Sequence, residues 1–263
     1  MRILFIGDIV GKPGQKVVSR KLKEVRALER LDLVIANGEN AADGSGITPS
    51  IYHKLIEAGV DCITLGDHIY RRAEIYPVLE SQLNILKPAN YPSDAPGRSW
   101  TVVTAANGVK VGVFCVIGRV YMKPIDCPFS AADRVLKEIP PDVNVRFVDF
   151  HAEATSDKQL LGRFLDGRVT AVLGTHTHVA TADEQIFPGG TAFQCDVGMT
   201  GPHASILGRK IERVLETTIT FRPTQFQVAT EDVRLCGSIV ELDEATGKAL
   251  SIRRIVVKDD EPQ

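Results

Sequence analysis

The chain has 263 residues, 44% hydrophobic and 24% charged, with a formal net charge of −2. That length buries a substantial core, and a charge so near zero excludes a general nucleic-acid binder, which needs a surplus of Lys and Arg. No apolar run approaches the ~20 residues of a membrane span, so no membrane partner is expected.

The start, MRILFIGDIVGKPG, reads as a buried strand at 2–6. Asp8 ends its apolar run before it reaches the length of a signal-peptide core, so a cytoplasmic protein is expected. A helical pattern follows at 14–29, then a strand at 33–36, a helix at 49–58, a strand at 61–65 and a helix at 72–79. Such alternation argues for parallel βαβ units. The Pro- and Gly-rich KPANYPSDAPGRS at 87–99 is expected to be a surface loop. Strands at 100–104, 109–116, 145–150, 170–173 and 191–194 are interleaved with helices at 131–139, 156–165 and 204–217. The tail reads as antiparallel, with strands at 238–242 and 250–257 and a hairpin turn around Ala245-Thr246-Gly247. No linker divides the chain, so a single domain over 1–263 is expected. The five cysteines are odd in number, widely spaced and without a CxxC, as reduced and mostly buried thiols would be.

Polar side chains gather just after the apolar runs. Gly7-Asp8 follows the first, Asn37-Gly38-Glu39-Asn40 the second and Gly66-Asp67-His68 the third. Asp149-Phe150-His151 and Gly174-Thr175-His176-Thr177-His178 follow two later ones. In open α/β sheets, ligands bind in the crevice outside the carboxyl ends of the strands. If these runs share a sheet, four of the six histidines converge there. His176 and His178 stand at i and i+2, which in an extended segment aims both at one spot. Histidine with carboxylate and no thiolate suits Zn, Mn or Fe and argues against a structural zinc. About seven candidate donors exceed what one ion takes and suit two ions sharing a bridging carboxylate, the usual equipment for hydrolysing phosphate esters.

Other readings fit less well. The HxH pair of amidohydrolase-type barrels sits on the first strand, and here it comes late. GDIVGKPG departs from a P-loop: three residues rather than four separate Gly7 from Gly11, and Pro13 replaces the Ser or Thr that would bind magnesium.

In order along the chain, Gly7-Asp8, Gly38-Glu39-Asn40, Gly66-Asp67-His68, a lone His151 and the GTHTH of 174–178 resemble the motifs of calcineurin-like metallophosphoesterases. FIGDIVGKPG, ANGENAADGSGIT, KPANYP, DFHAEATSDK, GTHTHVATADEQI and DVGMTGP resemble, more closely, the bacterial YmdB-like family. The resemblance implies an α/β fold built as a four-layer α/β/β/α sandwich. It implies a phosphodiesterase for cyclic nucleotides, 2',3'-cyclic and also 3',5'-cyclic. One metal would be held by Asp8, Glu39 and His178 with Asn40 nearby, the other by the bridging Glu39 with Asp67, His151 and His176. The two ions would be Fe or Mn first, with Zn the other choice. A bridging hydroxide would attack phosphorus in line with the leaving ribose oxygen. His68 would stand beside the phosphate as general acid or as a stabiliser of developing charge. A homo-oligomer is compatible with this reading.

One position departs from the family pattern, which has Asn before the catalytic histidine where this chain has Asp67. A carboxylate still ligates, but it cannot donate an amide N–H to a phosphate oxygen, and it adds negative charge where an anion must land. Metal binding is expected to persist while rate and substrate range change. The loop at 196–202 either offers backbone N–H groups to phosphate or is a structural turn. The rival functions are a phosphomonoesterase on the same site and a weakly catalytic metal- and nucleotide-binding regulator, which Asp67 favours.

Overall fold

The computed structural model describes residues 1–259; residues 260–263, which the single-domain expectation includes, lie outside the described residues. From the N-terminus come β1 (Arg2–Ile6), α1 (Gly11–Leu28), β2 (Leu33–Asn37), α2 (Pro49–Ala58), β3 (Cys62–Thr64), α3 (Tyr76–Ser81) and β4 (Ile85–Leu86). Next come β5 (Trp100–Thr104), β6 (Lys110–Ile117), α4 (Pro128–Glu138), β7 (Val145–His151), α5 (Thr155–Phe164), β8 (Ala171–Thr175), β9 (Gln185–Ile186) and β10 (Ala192–Gln194). Then follow β11 (Gly201–Pro202), α6 (Ile211–Thr220), β12 (Val233–Leu242) and β13 (Ala249–Lys258).

The strands form two sheets. One has the order β11-β12-β1-β2-β3-β4, with β13 paired to β12; the other runs β5-β6-β7-β8-β10-β9. In the first, β1 to β4 run parallel to one another, and in the second, β6, β7, β8 and β10 do, with antiparallel strands at the flanks. Side-chain alternation along these strands builds three cores. Ile3, Phe5 and Ile35 from the first sheet meet Val113, Phe147 and Leu173 from the second. The rings of Phe5 and Phe147 lie 5.1 Å apart across this gap. The intervening residues Leu4, Ile6 and Val34 face the other way, onto Val17 and Leu22 of α1 and Leu55 of α2. Phe114, Val148 and Val172 likewise turn outward onto Val135 of α4 and Leu161 of α5. Three cores separate four layers, so the molecule is an α/β/β/α sandwich. Each fully buried Leu, Ile or Phe contributes roughly 1.5–3 kcal/mol, and these residues dominate the favourable side of folding.

Where local chemistry marks an end, the expected and observed elements coincide. Helix α2 starts after Thr48, whose hydroxyl accepts from the Ile51 N–H; Pro49 occupies its first turn, and it stops at Gly59 in the left-handed region. The helix expected at 204–217 begins only at Ile211. Residues before it turn through Leu207 and Gly208, both at positive φ, and the N–H of Arg209 pairs with the carbonyl of Ile206. Strands β4, β9 and β11 have two residues each and carry no periodicity to read. The expected antiparallel tail is β12 and β13, joined by a turn in which the Gly247 N–H donates to Asp243.

All five cysteines are free thiols. Burial pushes Cys236 up to about 11 and Cys195 up to about 12, and Cys62 and Cys115 higher still. Cys127, at the N-terminus of α4, differs: the Ser130 backbone N–H draws its thiol below the usual range. Iodoacetamide at pH 8 should therefore modify Cys127 first in the folded protein and all five after unfolding. Peptide mass mapping checks this; equal labelling of Cys62 in the folded state would contradict the closed inter-sheet core.

Candidate metal centre

Each predicted site residue leaves the carboxyl end of a parallel strand: Asp8 after β1, Glu39 and Asn40 after β2, Asp67 and His68 after β3, His151 at the end of β7, and His176 and His178 after β8. The structure brings all eight together between the two sheets. Glu39, Asp67, His151 and His176 offer donor atoms that lie within 4.8 Å of one another. His151 Nε2 is 3.1 Å from Glu39 Oε1, 3.3 Å from Asp67 Oδ1 and 3.0 Å from His176 Nδ1. A second group adjoins it. Asn40 Nδ2 lies 3.3 Å from Asp8 Oδ1, 3.3 Å from Glu39 Oε1 and 3.2 Å from His178 Nε2. Glu39 belongs to both groups. His68 stands beside them, its Nδ1 donating to Asn40 Oδ1 at 2.8 Å and its Nε2 3.9 Å from Asp67 Oδ2.

Backbone shape makes this crowding feasible. A Cβ on Gly66 would overlap Glu39 Oε2 and the His151 ring, so only glycine admits both side chains. His176 and His178 sit at φ of 98° and 65°, where non-glycine residues cost roughly 1–3 kcal/mol each. They are not an extended i, i+2 pair. The turn between them sends His176 to the Asp67–His151 side and His178 to the Asp8–Asn40 side. Hydrogen bonds hold the strained turn: the His176 N–H donates to Asp8 Oδ2, the Thr177 N–H and hydroxyl donate to Asp196 Oδ2, and the Met199 N–H donates to the His178 carbonyl.

Behind the centre lies a layer of buried polar groups. Asp149, on the same face of β7 as His151, accepts from Asn37 Nδ2 at 3.0 Å, Thr64 Oγ1 at 2.6 Å and Thr175 Oγ1 at 2.7 Å. Thr175 Oγ1 in turn accepts from His151 Nδ1 at 2.9 Å. Asp196 pairs with the buried Lys158 ammonium at 2.8 Å. On the open side, Glu153 Oε2 is 3.0 Å from His176 Nε2. Sequence reasoning missed Asp149, Glu153, Lys158, Thr175 and Asp196 in these roles. The signal available was β alternation, since Asp149 and His151 are two apart on one strand. Nothing in the spacing announces Lys158, which reaches the site from a helix.

The 196–202 loop is a structural turn. The N–H groups of Val197, Met199 and Thr200 donate to the carbonyls of Gly174, His178 and Asp8, and the Gly198 N–H donates to Asp196 Oδ1. These amides are committed, which removes the expected alternative that they bind phosphate.

Charge is distributed unevenly. Asp8 and Glu39 are fully buried, and among the described residues the ion-pair partners of Asp8, Glu39 and Asp67 are all histidines. Burial pushes His151 down, but Glu39, Asp67 and Asp8 outweigh it and hold the imidazole well above its usual range. Burial also pushes Glu39 and Asp67 up, and His151 reverses both and holds them low. Burial, helped by His151, drives His176 down to about 4. The pocket thus favours one positive charge at the position of His151 Nε2. Two imidazoles also arrive preset: His178 Nδ1 donates to the Leu207 carbonyl and His151 Nδ1 to Thr175, so both turn Nε2 to the carboxylates. This chemistry suits a divalent metal ion.

The YmdB-like protein family matches residues 4–255. The chain belongs to that family. A 2',3'-cyclic-nucleotide 2'-phosphodiesterase of Bacillus subtilis is 45% identical to it, over 99% of this chain and 98% of that protein. The crystal structure of a phosphatase from Mycoplasma pneumoniae superposes with a TM-score of 0.92 at 30% identity, covering 100% of this chain and 95% of that one. The calcineurin-like phosphoesterase YfkN of Bacillus subtilis shares the fold alone, with a TM-score of 0.57 at 12% identity over 98% of this chain and 90% of its own. The YmdB-like chain described here therefore carries the calcineurin-like architecture that its motifs resemble.

Removing Asp149 would take the main acceptor from three donors in the inter-sheet layer, leaving Asn37 and Thr64 only long contacts to Thr175 Oγ1 and the Ala36 carbonyl. Asp149→Ala should lower stability by about 2–5 kcal/mol, since a buried donor left fully unsatisfied costs about 1–3 kcal/mol and two of the three keep a weak partner. Urea unfolding measures it; a loss under 1 kcal/mol would show that water replaces the carboxylate.

Proposed function

We propose that this protein is a dinuclear metal-dependent phosphodiesterase acting on cyclic nucleotides, 2',3'-cyclic ones first and 3',5'-cyclic ones second. The observation that carries this reading is the cluster divided about Glu39, in a chain so similar along its length to a 2',3'-cyclic-nucleotide phosphodiesterase. Glu39, Asp67, His151 and His176 would hold one ion, and Asp8, Glu39, Asn40 and His178 the other. Imidazole and carboxylate without thiolate suit Fe or Mn, with Zn also accommodated. When bound, the pair of ions would neutralise phosphate charge and activate water for attack on phosphorus. The whole of 1–263 would act as one domain, because both sheets supply site residues. Five free thiols suit the reducing cytoplasm.

The protein's own residues would do the rest. His68 donates Nδ1–H to Asn40, which fixes the ring and leaves Nε2 for the substrate. In its doubly protonated form Nε2–H would pass a proton to the departing ribose oxygen. Asp67 Oδ2 lies 3.9 Å from that same nitrogen. Glu153 would keep His176 oriented through its outer nitrogen. A phosphomonoesterase on this site is the second reading, favoured by the likeness to a phosphatase. Comparing turnover of 2',3'-cyclic AMP with that of 3'-AMP separates the two; a clear preference for 3'-AMP overturns the first.

The raised His151 gives metal binding a pH dependence. A metal must displace the proton that Glu39 and Asp67 hold on His151, whereas His176, already neutral above about 4, releases none. Affinity should therefore rise with pH, by about tenfold per unit for one displaced proton, across pH 6 to 8. Calorimetry in buffers of different ionisation enthalpy counts the protons; a pH-independent affinity would remove His151 from the ligands.

Replacing His68 by Ala should leave metal content intact and lower turnover of 2',3'-cyclic AMP by roughly 10²–10⁴-fold, the usual worth of a positioned acid. The loss should shrink for a nitrophenyl phosphodiester, whose leaving group needs no proton. Equal losses on the two substrates would make His68 a binding or structural residue.

A further inference from the structure

Beside the metal centre lies an aromatic pocket of about 430 Å³, walled by Tyr70, Tyr91 and Pro92 on one side and by Lys123, Ile125 and Asp126 on the other. Its walls are loops at the carboxyl ends of β3, β4 and β6, the same edge of the sandwich that carries the site. Tyr70 is two residues from His68 in one turn. Burial, then the Asp67 and Glu39 carboxylates, push the Tyr91 phenol up.

The pocket is built in advance of any ligand. The Tyr70 and Tyr91 rings lie 5.9 Å apart and 33° from parallel, and the Tyr70 hydroxyl donates to the Pro96 carbonyl at 2.7 Å. The buried Lys87 ammonium gathers the carbonyls of Pro92, Ser93 and Ala95, which fixes the rim. Asn90, fully buried, donates to the carbonyls of Ile117 and Asp126 and so ties the two walls together. A pre-formed aromatic recess with a few polar groups at its mouth suits a flat heteroaromatic ligand, because little ordering is left to be lost on binding. The phosphate chemistry requires no such surface. A nucleoside substrate does, since its base must lie somewhere within one ribose of the phosphorus.

We propose that the base of the cyclic nucleotide lies in this pocket against the paired Tyr70 and Tyr91 rings, with its polar edge toward Lys123 and Asp126. This rests on the phosphodiesterase reading of the metal centre. The pocket would then set the preference for nucleotides over simpler cyclic phosphates, while the metal centre performs the same bond cleavage on either.

The test compares kcat/KM for 2',3'-cyclic AMP with that for a base-free ester, methyl ribofuranoside 2',3'-cyclic phosphate, using the metal-loaded full chain. The unmodified protein should prefer the nucleotide. Tyr91→Ala should cut that preference about tenfold, mainly through KM for the nucleotide, which is the order of one base–aromatic stack. Ile125→Ala, in the opposite wall, should cut it by a smaller factor in the same direction, and decides the matter if Tyr91→Ala fails to fold. An unmodified protein that shows no preference for the nucleotide, or variants that lose equally on both esters, would overturn the base pocket and leave the phosphodiesterase standing. Failure of the unmodified protein on both esters would overturn the phosphodiesterase reading and the base pocket with it.

Discussion

Asp149 is a carboxylate with no exposed surface, set where two apolar sheets meet, and the site end of the molecule is organised around satisfying it. Its three hydrogen-bond donors come from β2, β3 and β8, so the contact fixes the first sheet against the second. Burial pushes Asp149 up to about 6, against the pull of His151 and the three donors. Thr175 then passes the constraint forward, because the hydroxyl that donates to Asp149 accepts from His151. One buried acid thus sets both the spacing of the layers and the direction of an imidazole.

The same rule governs the rest of the centre in different ways. Asp196 is answered by a full cation, Lys158, and uses its remaining capacity to clamp Thr177 and Gly198. That clamp makes two strained histidine backbones tenable. Among the described residues, Asp8 and Glu39 are answered only by amides and imidazoles. The contrast marks a division of labour: Asp196, which clamps the turn, meets a fixed cation, whereas the buried Asp8 and Glu39 meet amides and imidazoles that can share them with a ligand.

Much of this was legible in the sequence, for reasons that differ by element. Strands β1 and β5 and helix α2 fall where expected, because alternation and capping are local signals. The convergence of Asp8, Glu39, Asn40, Asp67, His68, His151, His176 and His178 was legible because parallel strands end on one edge. The geometry within the cluster was not. The HxH pair reads as extended, whereas its positive φ values depend on Asp196, which is remote in sequence. The delayed start of α6 comes from a turn at Leu207 and Gly208 whose apolar neighbours mimic a helical face. Lys158 was invisible as a site residue because a lysine on an amphipathic helix ordinarily faces solvent.

Strand β12 lies beside β1, with Arg2 opposite Glu241 and Ile6 opposite Gly237. During synthesis the first strand is therefore made long before its antiparallel neighbour. Until the residues near 240 leave the ribosome, one apolar flank of β1 stays open as a sheet edge, the kind of surface that recruits other chains. The interval is nearly the whole length of the polypeptide. Truncation before β12 would thus leave every candidate metal-binding residue translated, yet yield a nascent chain that depends on chaperones and is prone to precipitate.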